Sequence, residues 1–98
     1  MDKEIRQIYI DGMENNLPML RAKLGLTQKD LADIIGVSAF TILAIEKGQR
    51  KMTWNTFLSL LLVFMNNDQS KKILNALNIL DDQLMNFIER RKCDCERS

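Results

Sequence analysis

Gln28, Lys47, Arg50 and Lys51 are the side chains whose types and placement point to chemistry, and that chemistry is the gripping of a polyanion. Gln28 follows Thr27 at an expected helix start, where backbone N–H groups lack acceptors and the positive end of the helix dipole suits an anion. Lys47, Arg50 and Lys51 crowd the end of another helix and the loop after it. The net charge of +1 predicts no partner, but its distribution does. Residues 17–53 carry six basic side chains against three acidic, whereas residues 1–16 carry two against four. A polyanion would therefore dock on the middle of the chain.

Other chemistries find little support. Histidine is absent, which removes the commonest general base and metal ligand. There is no plausible nucleophile–base pair and no phosphate-cradling glycine loop, so an enzyme is not expected and no catalytic residue is assigned. Asp81 and Asp82 open a helix and read as a capping and dipole feature. Cys93 and Cys95 are too few to close a metal site, although a dimer pooling four thiolates would have enough. We expect a reduced, frayed tail there, with no metal, cofactor or small-molecule ligand. Two cysteines at this spacing also do not make a disulfide framework, and the first sixteen residues are too polar for a signal peptide. The longest apolar run, Leu60 to Met65, is too short to span a bilayer. The expectation is a cytoplasmic protein.

The elements that must position these residues all read as helix. One proline, four glycines and no sustained polar/apolar alternation argue against strands. Ile5, Ile8 and Tyr9 predict a short amphipathic helix ending before Gly12. A second helix is expected from Asn15 or Asn16 as N-cap, with Pro18 in its first turn and Leu17, Leu20 and Leu24 facing inward. Thr27 and Asp30 form a near capping box for a third segment carrying Leu31, Ala32 and Ile35. Gly36 and Val37 alone separate it from a helix over about 38–47 that Ser38 caps. Two short helices at a tight glycine turn predict helix-turn-helix geometry. Thr53 caps a helix apolar nearly all round, with Trp54 as a core anchor. Two further helices would cover it, one with Ile73, Leu74 and Leu77, the other with Leu84, Phe87 and Ile88.

In order and without gaps, Leu20-Arg21, Gly25-Leu26-Thr27-Gln28, Leu31-Ala32, Gly36-Val37-Ser38, Ile42, Ile45-Glu46 and Gly48 resemble the Cro and phage-repressor family of helix-turn-helix proteins. The resemblance covers about residues 15–66. It implies an all-α, five-helix repressor-like domain; the flanks carry no such match and are expected, from their own pattern, to form a short N-terminal helical segment over 1–14 and C-terminal helices over 67–98, a candidate dimerisation element. The resemblance also implies a partly buried ion pair between Arg21 and Glu46 that fixes the angle of the reading helix. Gln28, Lys47, Arg50 and Lys51 are then expected on DNA phosphates, with Gln28 also within reach of a base edge.

The reading helix, SAFTILAIEKG, is unusually apolar for that role. Taking Ile42 as the core direction, at about 100° per residue, places Ser38, Ile45 and Glu46 on the inner side and Phe40, Ala44 and Lys47 opposite. In similar proteins Gln, Ser, Asn or Arg often stand where this chain has Ala39, Phe40 and Ala44. One reading has these three contacting thymine methyls while Ser38, Thr41 and Gln28 supply hydrogen bonds. Another makes Phe40 and Leu43 a patch for a protein partner, as in an antitoxin-like or anti-repressor module. A third has Phe40 pack on the chain's own N-terminal segment. The first implies a homodimeric repressor of a bacterium, plasmid, phage or mobile element. Its third helix would enter the major groove at half-sites about 34 Å apart.

Overall fold

The computed structural model describes the backbone of residues 1–97 and the side chains of residues 1–89. Six α-helices and no strand occur among the described residues: α1 (Lys3–Lys23), α2 (Gln28–Ile35), α3 (Ala39–Glu46), α4 (Trp54–Met65), α5 (Asp68–Ala76) and α6 (Asp82–Arg97). The all-helical class is the one expected. α6 continues as helix through the segment expected to fray; the side chains of Cys93 and Cys95 lie outside the described residues. No helix among the described residues is long and apolar enough to cross a membrane.

The first two expected helices are one. α1 starts at Asp2, whose carboxylate accepts from the Ile5 N–H at 2.9 Å, and runs through both Gly12 and Pro18. Tyr9, Met13, Leu17 and Leu20 form an uninterrupted buried stripe across the supposed break, at spacings of four, four and three. Burying that stripe outweighs the roughly 1 kcal/mol that a helical glycine costs relative to alanine. Gly12 is there for space, because a Cβ at this position would stand 3.2 Å from Cγ1 of Ile79. Pro18 lacks the N–H that would bond the Glu14 carbonyl. Nearby, Asn16 is not a cap but donates its side-chain amide to the Gly12 carbonyl at 2.8 Å.

α1 packs against α3, α4 and α5, and α2 packs against α3 and α4. Leu17, Leu20, Leu31, Ile42, Phe57, Leu60, Phe64, Leu74, Ile79 and Leu84 are fully buried between them. Trp54 stacks on Phe57 at 4.9 Å between ring centroids, with the Arg6 guanidinium 5.3 Å over its ring. Two polar contacts finish the frame. The Tyr9 hydroxyl donates to Asp81 Oδ1 at 2.6 Å, and the same oxygen caps α6 by accepting from the Leu84 N–H at 2.9 Å. Burial, followed by the hydrogen bond to Asp81, pushes the Tyr9 phenol well above its ordinary value. Ser70, fully buried, donates to the Phe64 carbonyl in the last turn of α4, where no helical N–H remains to serve it.

α4 is not enclosed on every side, despite its composition. Leu62 is 72% exposed beside an open apolar groove of about 220 Å³ lined by Leu58, Leu61, Leu62, Met65, Met85 and Ile88.

Candidate nucleic-acid interface

Local sequence explains how α2 and α3 are cut and joined. The Thr27 hydroxyl accepts from the Asp30 N–H, and Asp30 accepts from the Thr27 N–H, both at 3.0 Å. The Thr27 backbone N–H, then its hydroxyl, hold the Asp30 carboxyl below its ordinary value. α2 ends at Gly36, whose φ of 82° is the left-handed conformation that a helix C-cap needs and a side chain disfavours. Two residues later Ser38 caps α3, its hydroxyl accepting from the Thr41 N–H at 3.1 Å.

Three elements meet in one polar network. Arg21 of α1 donates through Nε to Glu46 Oε2 at 2.8 Å and through Nη2 to Oε1 at 3.1 Å. Its Nη1 donates to the Leu26 carbonyl at 3.0 Å, fastening the connection into α2. Gln28 Nε2 then donates to Glu46 Oε1 at 3.0 Å. The pair is largely withdrawn from water, with Arg21 20% and Glu46 7% exposed, so the two-pronged geometry carries weight. The hydrogen bonds to Glu46 hold the Arg21 guanidinium above its ordinary value, more than burial lowers it. Gln28 is thereby oriented, with one side-chain N–H and its carbonyl oxygen still directed elsewhere. The Gln28–Glu46 bond was not legible in the sequence, because it depends on the crossing of α2 and α3.

On α3 the structure separates residues that the helical wheel grouped. Phe40 is 69% exposed, which rules out packing against the N-terminal segment. Ser38 is exposed, Thr41 and Leu43 are half-buried, and Ala39 is half-buried against the core. Ala44 is a correction: it is only 4% exposed and cannot stand beside Phe40 on a reading face. At the end of the helix the Gln49 N–H donates to the Ala44 carbonyl at 2.9 Å and closes the last turn of α3. Arg50 Nη1 donates to Thr41 Oγ1 at 3.4 Å, one turn earlier. Thr41 is also engaged, its hydroxyl lying 3.0 Å from the Ser38 hydroxyl.

Lys47, Arg50 and Lys51 are all exposed. The loop that carries them is anchored from an unforeseen quarter: Glu14 of α1 accepts from the Met52 N–H at 2.8 Å. The only local signal is an acidic residue on a helix, which ordinarily means a solvated face.

Two short capped helices at a glycine turn, the second with its N-terminal side open to solvent, define a helix-turn-helix protein. The helix-turn-helix domain pattern matches residues 15–89, and the chain belongs to that family. An uncharacterised HTH-type transcriptional regulator of Methanocaldococcus jannaschii is 57% identical over 37 residues. That stretch is 38% of this chain and 56% of the relative, so the match spans little more than half of the relative's length. No solved structure matches the chain.

Proposed function

We propose that the chain binds double-stranded DNA sequence-specifically, as a homodimeric transcriptional repressor of the Cro and phage-repressor kind, with α3 in the major groove. One observation carries the reading: exposed Ser38 and Phe40 at the start of α3 and exposed Lys47, Arg50 and Lys51 at and beyond its end flank a helix braced by the Arg21–Glu46–Gln28 network. The cations grip phosphates and set register, while the start of α3 reads bases. Gln28, held by Glu46, directs its remaining amide groups to a phosphate or base edge. Phe40 meets thymine methyls, with Ala39 beside it and the Ser38 and Thr41 hydroxyls as hydrogen-bonding readers. The relative's description as a transcriptional regulator supports the same reading. A second copy would cover the α4/α6 groove, and a cytoplasmic setting accompanies this role.

Selection of bound sites from a random duplex library tests the proposal. Enrichment of a two-fold-symmetric site, weakened when uracil replaces thymine, is the expected result. Failure to enrich any site would refute DNA reading and leave Phe40 and Leu43 as a surface for a protein partner, given the 69% exposure of Phe40.

A further inference from the structure

We propose that Glu14 is a positioning residue for the phosphate-facing loop, clamping its far end so that Arg50 and Lys51 stand at fixed places beside α3; this rests on the DNA-binding reading. The near end of the loop is fixed by the reversal after α3, where the Gly48 N–H donates to the Ile45 carbonyl at 3.1 Å and the Gln49 N–H to the Ala44 carbonyl at 2.9 Å. The far end is fixed twice at Met52. Its side chain is 4% exposed in the core, and its N–H donates to Glu14 Oε2 at 2.8 Å. Arg50 and Lys51 are the residues left between the two clamps; both are exposed, and the Arg50 guanidinium reaches Thr41 Oγ1 on α3 at 3.4 Å. A carboxylate acceptor makes the bond charge-assisted and stronger than one to a neutral oxygen. No basic side chain stands within salt-bridge distance of Glu14 among the described residues, so its partner is this one N–H.

The clamp and the charge make opposite predictions. As a bare negative charge near a polyanion, Glu14 would repel DNA, and removing it would tighten binding. As a clamp, its removal releases the loop and blurs a phosphate contact. The test measures duplex affinity against salt for the full chain and for Glu14→Ala and Glu14→Gln, with any duplex the wild type binds. Losing one contact lowers the slope of log K against log salt by about one, and binding at about 0.1 M salt falls roughly eightfold. Glu14→Gln keeps an oxygen for the Met52 N–H and should stay within about twofold of wild type, since the slope counts phosphate contacts. A general loss of stability in Glu14→Ala would not by itself change that slope. Equal or tighter binding by Glu14→Ala at an unchanged slope overturns the proposal, as does an equal loss in Glu14→Gln. A wild type that binds no duplex removes the DNA reading and the phosphate role together. Amide exchange at Met52 then still decides the clamp: faster exchange in Glu14→Ala alone supports it, and unchanged exchange refutes it.

Discussion

Arg21→Met removes the cation from the network joining α1, α2 and α3 while keeping much of the side chain's length. Glu46, 7% exposed, would lose bonds of 2.8 and 3.1 Å and keep only the Gln28 amide at 3.0 Å. The Leu26 carbonyl would lose its donor as well. Stranding one member of a fully buried pair costs about 3–5 kcal/mol, and an exposed pair is worth under about 1 kcal/mol. Partial exposure of Arg21 and the surviving Gln28 bond place the loss near the lower end of the buried range, about 3 kcal/mol. For a chain of this size that lowers Tm by roughly 12–24 °C. Trp54 is the only tryptophan, so its fluorescence during urea unfolding provides the assay, with a shifted midpoint and an unchanged slope expected. Arg21→Met combined with Glu46→Leu removes the stranded charge and should return to within about 1 kcal/mol of wild type. A single-variant cost below about 1 kcal/mol would show that the pair behaves as a solvated one and refute its bracing role.

Two further outcomes follow from the packing. Tyr9 is the only tyrosine, and its phenol is pushed upward by burial and by Asp81, so the unfolded chain ionises first, near the ordinary value of 10.0. The stability this contributes is complete below about pH 10 and declines as pH rises above it. Tyr9→Phe should cost about 1–2 kcal/mol at neutral pH and abolish that part of the alkaline decline, measured by urea unfolding at a series of pH values. An alkaline decline as steep in the variant would show that another group is responsible. Leu62→Asp places a charge on the α4/α6 groove and should convert a dimer to a folded monomer in sedimentation at micromolar concentration, with a Tm that no longer depends on concentration, because Leu62 is 72% exposed in the single chain. Retained dimerisation would move the interface elsewhere.

The sequence by itself determined what local forces decide. Thr27 with Asp30, Ser38 and Thr53 cap helices through bonds spanning three residues, and Gly36 ends α2 through its own backbone, so the helix-turn-helix boundaries needed no knowledge of the rest of the chain. Helical periodicity likewise identified Ile42 and Ile45 as core, since both face the same buried side. Only the tertiary structure decided matters that depend on a distant neighbour. Gly12 reads as a helix breaker until Ile79 is seen to require its missing side chain, and α1 then runs through as one helix. Ala44 reads as a groove-facing residue until its 4% exposure shows it covered, because a helical wheel assumes one core direction whereas Ile42 and Ala44, on opposite sides of α3, are both buried. Glu14 and Met52 are 38 residues apart, and no periodicity or cap relates them. A side chain's type and local spacing set which bonds it is able to make. Which of them it does make depends on the element brought against it.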